Sequence, residues 1–120
     1  TNNIPTTPPI TPTNNNINTI ITKGWAREGS NWTYIRENGS KATGWLNNSG
    51  KWYYMSLDGV MATGWVQSGG YWYFLNSDGA MQTGWILDGG KYYYLYNDGS
   101  MAANTQIGSY VVDGSGAWIG

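Results

Sequence analysis

The chain has 120 residues, a net charge of −1, and neither cysteine nor histidine. A disulfide framework and a thiolate metal site are thereby excluded, the commonest general base and metal ligand is missing, and no basic field gathers nucleic acid or anionic lipid. Eight Trp, ten Tyr and eighteen Gly stand in their place, a mixture that favours short strands, tight turns and surfaces made of rings.

Residues 1–22, TNNIPTTPPITPTNNNINTIIT, carry no charge and show no helix or strand period. Pro5, Pro8, Pro9 and Pro12 favour extended backbone, so the segment reads as an interdomain linker with a catalytic or adhesive domain upstream. Ile17, Ile20 and Ile21 are placed to dock on the first of the repeats that begin at residue 23. No signal-peptide pattern opens the chain and no apolar stretch is long enough for a helix to cross a bilayer, so no membrane insertion is expected; the chain reads as part of a longer secreted protein.

From residue 23 the chain repeats. Gly24-Trp25, Gly44-Trp45, Gly64-Trp65 and Gly84-Trp85 recur every twenty residues. Seven residues after each Trp comes a second ring, Trp32, Trp52, Trp72 or Tyr92; nine after comes a third, Tyr34, Tyr54, Phe74 or Tyr94. Sixteen after stand Lys41, Met61, Met81 and Met101. Each copy consists of two short apolar runs around a Gly-rich turn, the pattern of a β-hairpin, followed by a second turn at Asn38-Gly39, Asp58-Gly59, Asp78-Gly79 or Asp98-Gly99. A fifth copy is degenerate: Asn104-Thr105 replace Gly-Trp, and Tyr110, Val112 and Trp118 are expected in a closing hairpin. One hairpin alone is marginal in water, so the fold class expected is all-β, a solenoid of stacked hairpin repeats spanning residues 23–120.

Charge follows the turns. Residues 1–51 hold five cations against Glu28 and Glu37, a balance of +3; residues 52–120 hold Lys91 against five aspartates, a balance of −4. Most of the aspartates adjoin Gly, where Asp suits turn geometry.

Side chains alternate across a strand, so the rings seven and nine residues after each Gly-Trp share one face. The residues at eight and ten share the other: Thr33 and Ile35, Tyr53 and Met55, Tyr73 and Leu75, Tyr93 and Leu95. Position ten is always aliphatic or thioether and reads as core. For the aromatic face two readings stand: rings that only pack hairpin on hairpin, or rings that leave a box between hairpins. A box of rings without a carboxylate suits a quaternary ammonium, which donates no N–H hydrogen bond and is held by cation–π attraction and methyl contact. Met makes a polarizable extra wall.

The pattern TGWxxxxGxWYYxxxDGxM, as it stands from Thr43-Gly44-Trp45 to Met61, resembles the choline-binding (cell-wall-binding) repeat family of Gram-positive autolysins, phage lysins and surface proteins. The resemblance covers about residues 23–120 and implies a left-handed superhelix of hairpins with ligand sites between successive copies. It implies a first cage of Trp25, Trp32, Tyr54 and Met61, a second of Trp45, Trp52, Phe74 and Met81, and a third of Trp65, Trp72, Tyr94 and Met101. A fourth begins with Trp85 and Tyr92 and takes its far wall from the degenerate end, with Tyr110 the candidate. The implied partner is choline or choline-substituted teichoic acid, and the implied location is extracellular and cell-wall associated. Dimerisation through the C-terminal hairpin, with Trp118 a candidate contact, is also implied by the family.

Two other function classes compete with this reading. Related aromatic repeats bind carbohydrate, and here Asn47, Asn48, Gln67 and Asp88 are candidate sugar partners, although they do not recur at fixed repeat positions. An enzyme needs a nucleophile, a base or a metal cluster; the chain offers only Glu28 and Glu37 as glutamates, both near turns, and no cofactor motif.

Overall fold

The computed structural model describes residues 23–120, so the expected linker at 1–22 and its isoleucines lie outside the described residues. The chain divides into two units, Thr1–Ala62 and Thr63–Gly120. Among the described residues every regular element is a strand.

The first unit holds two hairpins. Strand β1 (Gly24–Glu28) pairs antiparallel with β2 (Asn31–Ile35), and β3 (Gly44–Asn48) with β4 (Lys51–Met55). The second unit holds three: β5 (Gly64–Ser68) with β6 (Tyr71–Leu75), β7 (Gly84–Asp88) with β8 (Lys91–Leu95), and the short β9 (Thr105–Ile107) with β10 (Tyr110–Val112). In the four full copies the Gly of Gly-Trp faces the position-ten residue and the Trp faces the ring at nine, as Trp45 faces Tyr54.

Turn chemistry sets this register. The loops Ser49-Gly50, Gly69-Gly70 and Gly89-Gly90 have two residues, each with positive φ, which is the backbone of a type I′ turn. The second turn brings the chain back so that position sixteen bridges position ten: Ile35 with Lys41, Met55 with Met61, Leu75 with Met81, Leu95 with Met101. A side-chain oxygen clamps that turn in one of two ways. Asn76 Oδ1 accepts the N–H groups of Asp78 (2.9 Å) and Ala80 (3.0 Å), and Ser56 and Asp113 act alike from the same position. Where Arg36 or Tyr96 occupies that position, Asn38 or Asp98 accepts instead from the N–H and hydroxyl of Ser40 or Ser100.

Successive copies within a unit are joined by backbone. The Met61 N–H donates to the Trp32 carbonyl (2.8 Å) in the first unit; in the second, Met101 donates to Trp72 (2.8 Å) and Trp118 to Tyr92 (2.9 Å). These bonds satisfy edge groups that an isolated hairpin would leave to water. Met55, Leu75 and Leu95 have no exposed surface and Val112 has 1%, so position ten is core in these copies, each such side chain contributing about 1.5–3 kcal/mol, whereas Ile35 of the first copy is half-buried.

The glycine of the second turn is also a packing device. The Met81 sulfur lies against Gly99, and the Met101 sulfur against Gly116, where a Cβ would stand; both glycines have φ of +89°. In the first unit the Lys41 alkyl chain crosses Gly59 in the same way.

The fifth copy is shortened inside its hairpin. Val112 bridges Trp118 as Leu95 bridges Met101, and Asp113 closes the turn as Asn76 does. Trp118 therefore occupies the place of Met, seventeen residues after Met101 instead of twenty. Asn104, replacing the Gly of Gly-Trp, keeps a positive φ of 52°, which Asn tolerates better than most residues.

Candidate ligand cages

The front face of each full hairpin carries the Trp of Gly-Trp with the rings at seven and nine; the back face carries positions eight and ten. In the first unit Trp25 lies 5.2 Å from Tyr34 on its own hairpin and 6.5 Å from Trp32, at interplanar angles of 83° and 87°. The ring that meets Trp25 from the next hairpin is Tyr53, 4.8 Å away. Tyr54, expected in that place, instead lies 5.0 Å from Trp45 across its own hairpin.

The second unit repeats the arrangement. Trp65 lies 5.0 Å from Tyr93 of the next hairpin, while Tyr94 lies 5.1 Å from Trp85 of its own. Phe74 likewise backs Trp65 at 5.0 Å. The position-nine rings expected as far walls, Tyr54, Phe74 and Tyr94, therefore support the Trp of their own copy, and position eight presents the ring that faces the preceding Trp. The reason is directional stacking: in each unit the front of one hairpin meets the back of the next. Tyr53 and Tyr93 were legible as back-face residues, but strand alternation alone does not say which faces meet.

Two ring-walled cavities result in the second unit. Trp65, Trp72, Tyr93 and Met101, with Gly114 and Ser115, line one of about 340 Å³. Trp85, Tyr92, Tyr110 and Trp118 line another of about 270 Å³. In the latter the contacts between Trp85 and Tyr110 (5.7 Å), Tyr92 and Trp118 (6.2 Å), and Tyr110 and Trp118 (6.3 Å) are all edge-on, with planes 71–80° apart. The rings thus form walls around a space instead of stacking flat. Tyr92 remains 44% exposed and Tyr110 50%, so the cage opens to solvent. Tyr110, the candidate far wall, lines this cavity with Trp85 and Tyr92, and so does Trp118, a candidate dimer contact by resemblance.

Of the four cages expected, the first has Trp25, Trp32 and Tyr53 together, with Met61 tied by its N–H to the Trp32 carbonyl. For the second, Trp45 and Trp52 belong to the first unit and Phe74 and Met81 to the second. The third and fourth are the two cavities.

Polar groups meet several of these rings. The Trp65 indole N–H donates to Asp88 Oδ2 (3.0 Å), and the Tyr34 hydroxyl donates to Asn48 Oδ1 (3.4 Å). The Arg27 guanidinium lies 4.8 Å from the centre of the Trp32 ring, a cation on the π face of a first-cage residue. Burial, then the Asp98 carboxylate and Tyr71, push the Tyr73 phenol above its ordinary 10.0, so that ring is a neutral phenol at neutral pH. Glu28 and Glu37 are ion-paired with Lys41 (2.7 Å) and Lys23 (2.9 Å). Among the described residues no group of His, Cys, Asp and Glu is placed to hold a metal, and no helix is long and apolar enough to cross a membrane.

Known proteins resemble this chain in sequence and in fold. Residues 62–105 match a family model described as a choline-binding repeat, and residues 43–61 match one described as a cell wall binding repeat. The crystal structure of choline binding protein F from Streptococcus pneumoniae aligns with a TM-score of 0.79 and 42% identity over 82% of this chain and 34% of that one. The choline binding domain of Spr1274 from the same organism aligns with a TM-score of 0.63 and 48% identity, over 66% of this chain and 96% of that domain. A multimodular pneumococcal cell wall endolysin from phage Cp-1, complexed with choline, aligns with a TM-score of 0.63 and 31% identity, over 76% of this chain and 28% of that one. The chain thus spans about a third of the length of choline binding protein F. No curated protein sequence matches it.

Proposed function

The chain belongs to the choline-binding repeat family, and from that premise we propose that it anchors a secreted protein to the bacterial surface by holding the choline groups of teichoic acids between its hairpins. As a repeat of this family it is a binding module, and any catalytic domain would lie in another part of the protein, joined through residues 1–22. The observation that carries the reading is the fourth cage, walled by Trp85, Tyr92, Tyr110 and Trp118. A trimethylammonium group asks only for π faces and methyl contact, and each ring contributes about 0.5–2 kcal/mol depending on desolvation. The third cage, with Trp65, Trp72, Tyr93 and Met101, has the same make-up with a thioether as its fourth wall. In the first, Trp25, Trp32 and Tyr53 take the ligand, with Met61 beside them.

Each cage alone binds weakly. Several cages facing a polymer with many cholines gain through effective concentration, which suits retention on a wall. The carbohydrate reading is less well supported, because two of its polar candidates are engaged within the protein: Asn48 with Tyr34 and Asp88 with Trp65.

The test is tryptophan fluorescence and calorimetry with choline chloride, alongside cell-wall glycan stripped of choline. Saturable millimolar binding of choline, without binding of the glycan, is expected. A response to glycan and none to choline overturns the proposal in favour of a carbohydrate module.

A further inference from the structure

Asp88 distinguishes the third cage. It ends strand β7, three residues after the Trp of its repeat; the corresponding residues of the preceding two copies are the neutral Asn48 and Ser68. Its carboxylate accepts the indole N–H of Trp65, a lining residue of the third cage, at 3.0 Å. Among the described residues the ion pairs are Lys23 with Glu37 and Lys41 with Glu28. Asp88 is in neither, although Lys91 stands opposite it across the hairpin, so its carboxylate is turned to the indole and not to a cation. The fourth cage lacks such a group: four rings line it, and the turn between β9 and β10 is Gly108-Ser109.

We propose that Asp88 is a specificity-determining residue that makes the third cage select cationic ligands over neutral ones of the same shape. This rests on the reading of the cages as quaternary ammonium sites. Two effects act in the same direction. The carboxylate adds direct Coulomb attraction to a cation held one indole away, at the moderate effective dielectric of a partly exposed site. It also polarises the indole through the N–H bond, pushing electron density onto the π face that the cation meets. Neither effect reaches a neutral ligand with the same methyl groups. Both cages attract a cation through their rings, and the third adds the pull of a carboxylate that the fourth lacks.

The experiment uses the chain carrying 13C-methyl methionine and 15N-labelled tryptophan. Choline and its uncharged isostere 3,3-dimethyl-1-butanol are titrated separately. The Met101 methyl reports the third cage and the Trp118 indole N–H the fourth. Asp88→Asn, which keeps an acceptor and removes the charge, should weaken choline at the Met101 reporter by about three- to tenfold. It should leave the alcohol at that reporter, and both ligands at Trp118, within about twofold. Asp88→Ser, borrowing the residue of the preceding repeat, should give the same pattern and serves if the first variant folds poorly. An unchanged choline affinity at Met101, or an equal loss for the neutral alcohol, overturns the role of charge while leaving the cages as choline sites. No saturable shift at either reporter in the unaltered protein overturns the cage reading itself, and this proposal with it.

Discussion

Tyr93 and Tyr94 are neighbours in the chain but serve different hairpins: the Tyr93 ring lies 5.0 Å from Trp65 of the preceding copy, the Tyr94 ring 5.1 Å from Trp85 of its own. Trp25 with Tyr53, and Trp45 with Tyr54, stand in the same relation in the first unit. An array that grows by one repeated operation sets each front on the next back. Front against front is an isologous contact, which closes after two copies and cannot propagate.

This division of labour separates the effects of two adjacent substitutions. Tyr93→Ala removes a wall of the third cage and should weaken choline there by about three- to thirtyfold, while Tyr94→Ala removes support behind Trp85 and should mainly lower stability. Titration followed at the Met101 methyl, with urea denaturation of both variants, checks the contrast. A larger loss at that methyl in Tyr94→Ala would contradict the assignment of faces.

In the third copy the second turn depends on the Asn76 clamp and not on Asp78 beside it. Asn76→Ala leaves the N–H groups of Asp78 and Ala80 without their acceptor and should cost about 1–2 kcal/mol. Asp78 contributes its own N–H to the same turn, so Asp78→Ala should stay within about 0.5 kcal/mol. Neither change should move choline affinity at the fourth cage. Chemical denaturation with a choline titration measures both quantities.

Two glycines of similar backbone conformation differ in what surrounds them. Gly90, with φ of +82°, faces open space, and Gly90→Ala should cost about 1 kcal/mol of backbone strain. Gly99, with φ of +89°, is covered by the Met81 thioether, so Gly99→Ala adds a clash that Met81 must move to relieve. An extra penalty of about 1–2 kcal/mol is expected, read from paired urea melts.

Acid should loosen the second unit. The hydroxyl and N–H of Ser100 hold the Asp98 carboxyl below its ordinary 3.8, and Ser115 and the Ala117 N–H do the same for Asp113. A depressed folded-state pKa means that the unfolded chain binds protons first as pH falls. The contribution is therefore complete above 3.8 and is lost as pH drops through the folded values. The melting temperature should fall below about pH 4, and Asp98→Asn, which remains an acceptor, should flatten part of that fall. Melts by circular dichroism across the acid range provide the measurement.

Much of this was written in the residue pattern. Gly-Trp spacing gave the copies, the paired turn residues gave the hairpin register, and the unbroken aliphatic or thioether run at Met55, Leu75 and Leu95 marked the core. One signal for the facing ring was also present. Position eight is Tyr in the second, third and fourth copies but Thr33 in the first, and position sixteen changes from Met to Lys41 in that same first copy. A back face with no earlier Gly-Trp copy to serve loses its ring and its thioether together.

By itself, then, the sequence determined the period, the strands, the turns and the aromatic character of the sites, because these depend on backbone preferences and on a side-chain alternation confined to one strand. The tertiary structure alone decided that Tyr53 and Tyr93 face the preceding Trp, that a shortened hairpin lifts Trp118 into the place of Met, and that Asp88 reaches the Trp65 indole. Those relations join residues of different copies, and local patterning fixes which side of a strand a group occupies without fixing which neighbour will lie against that side.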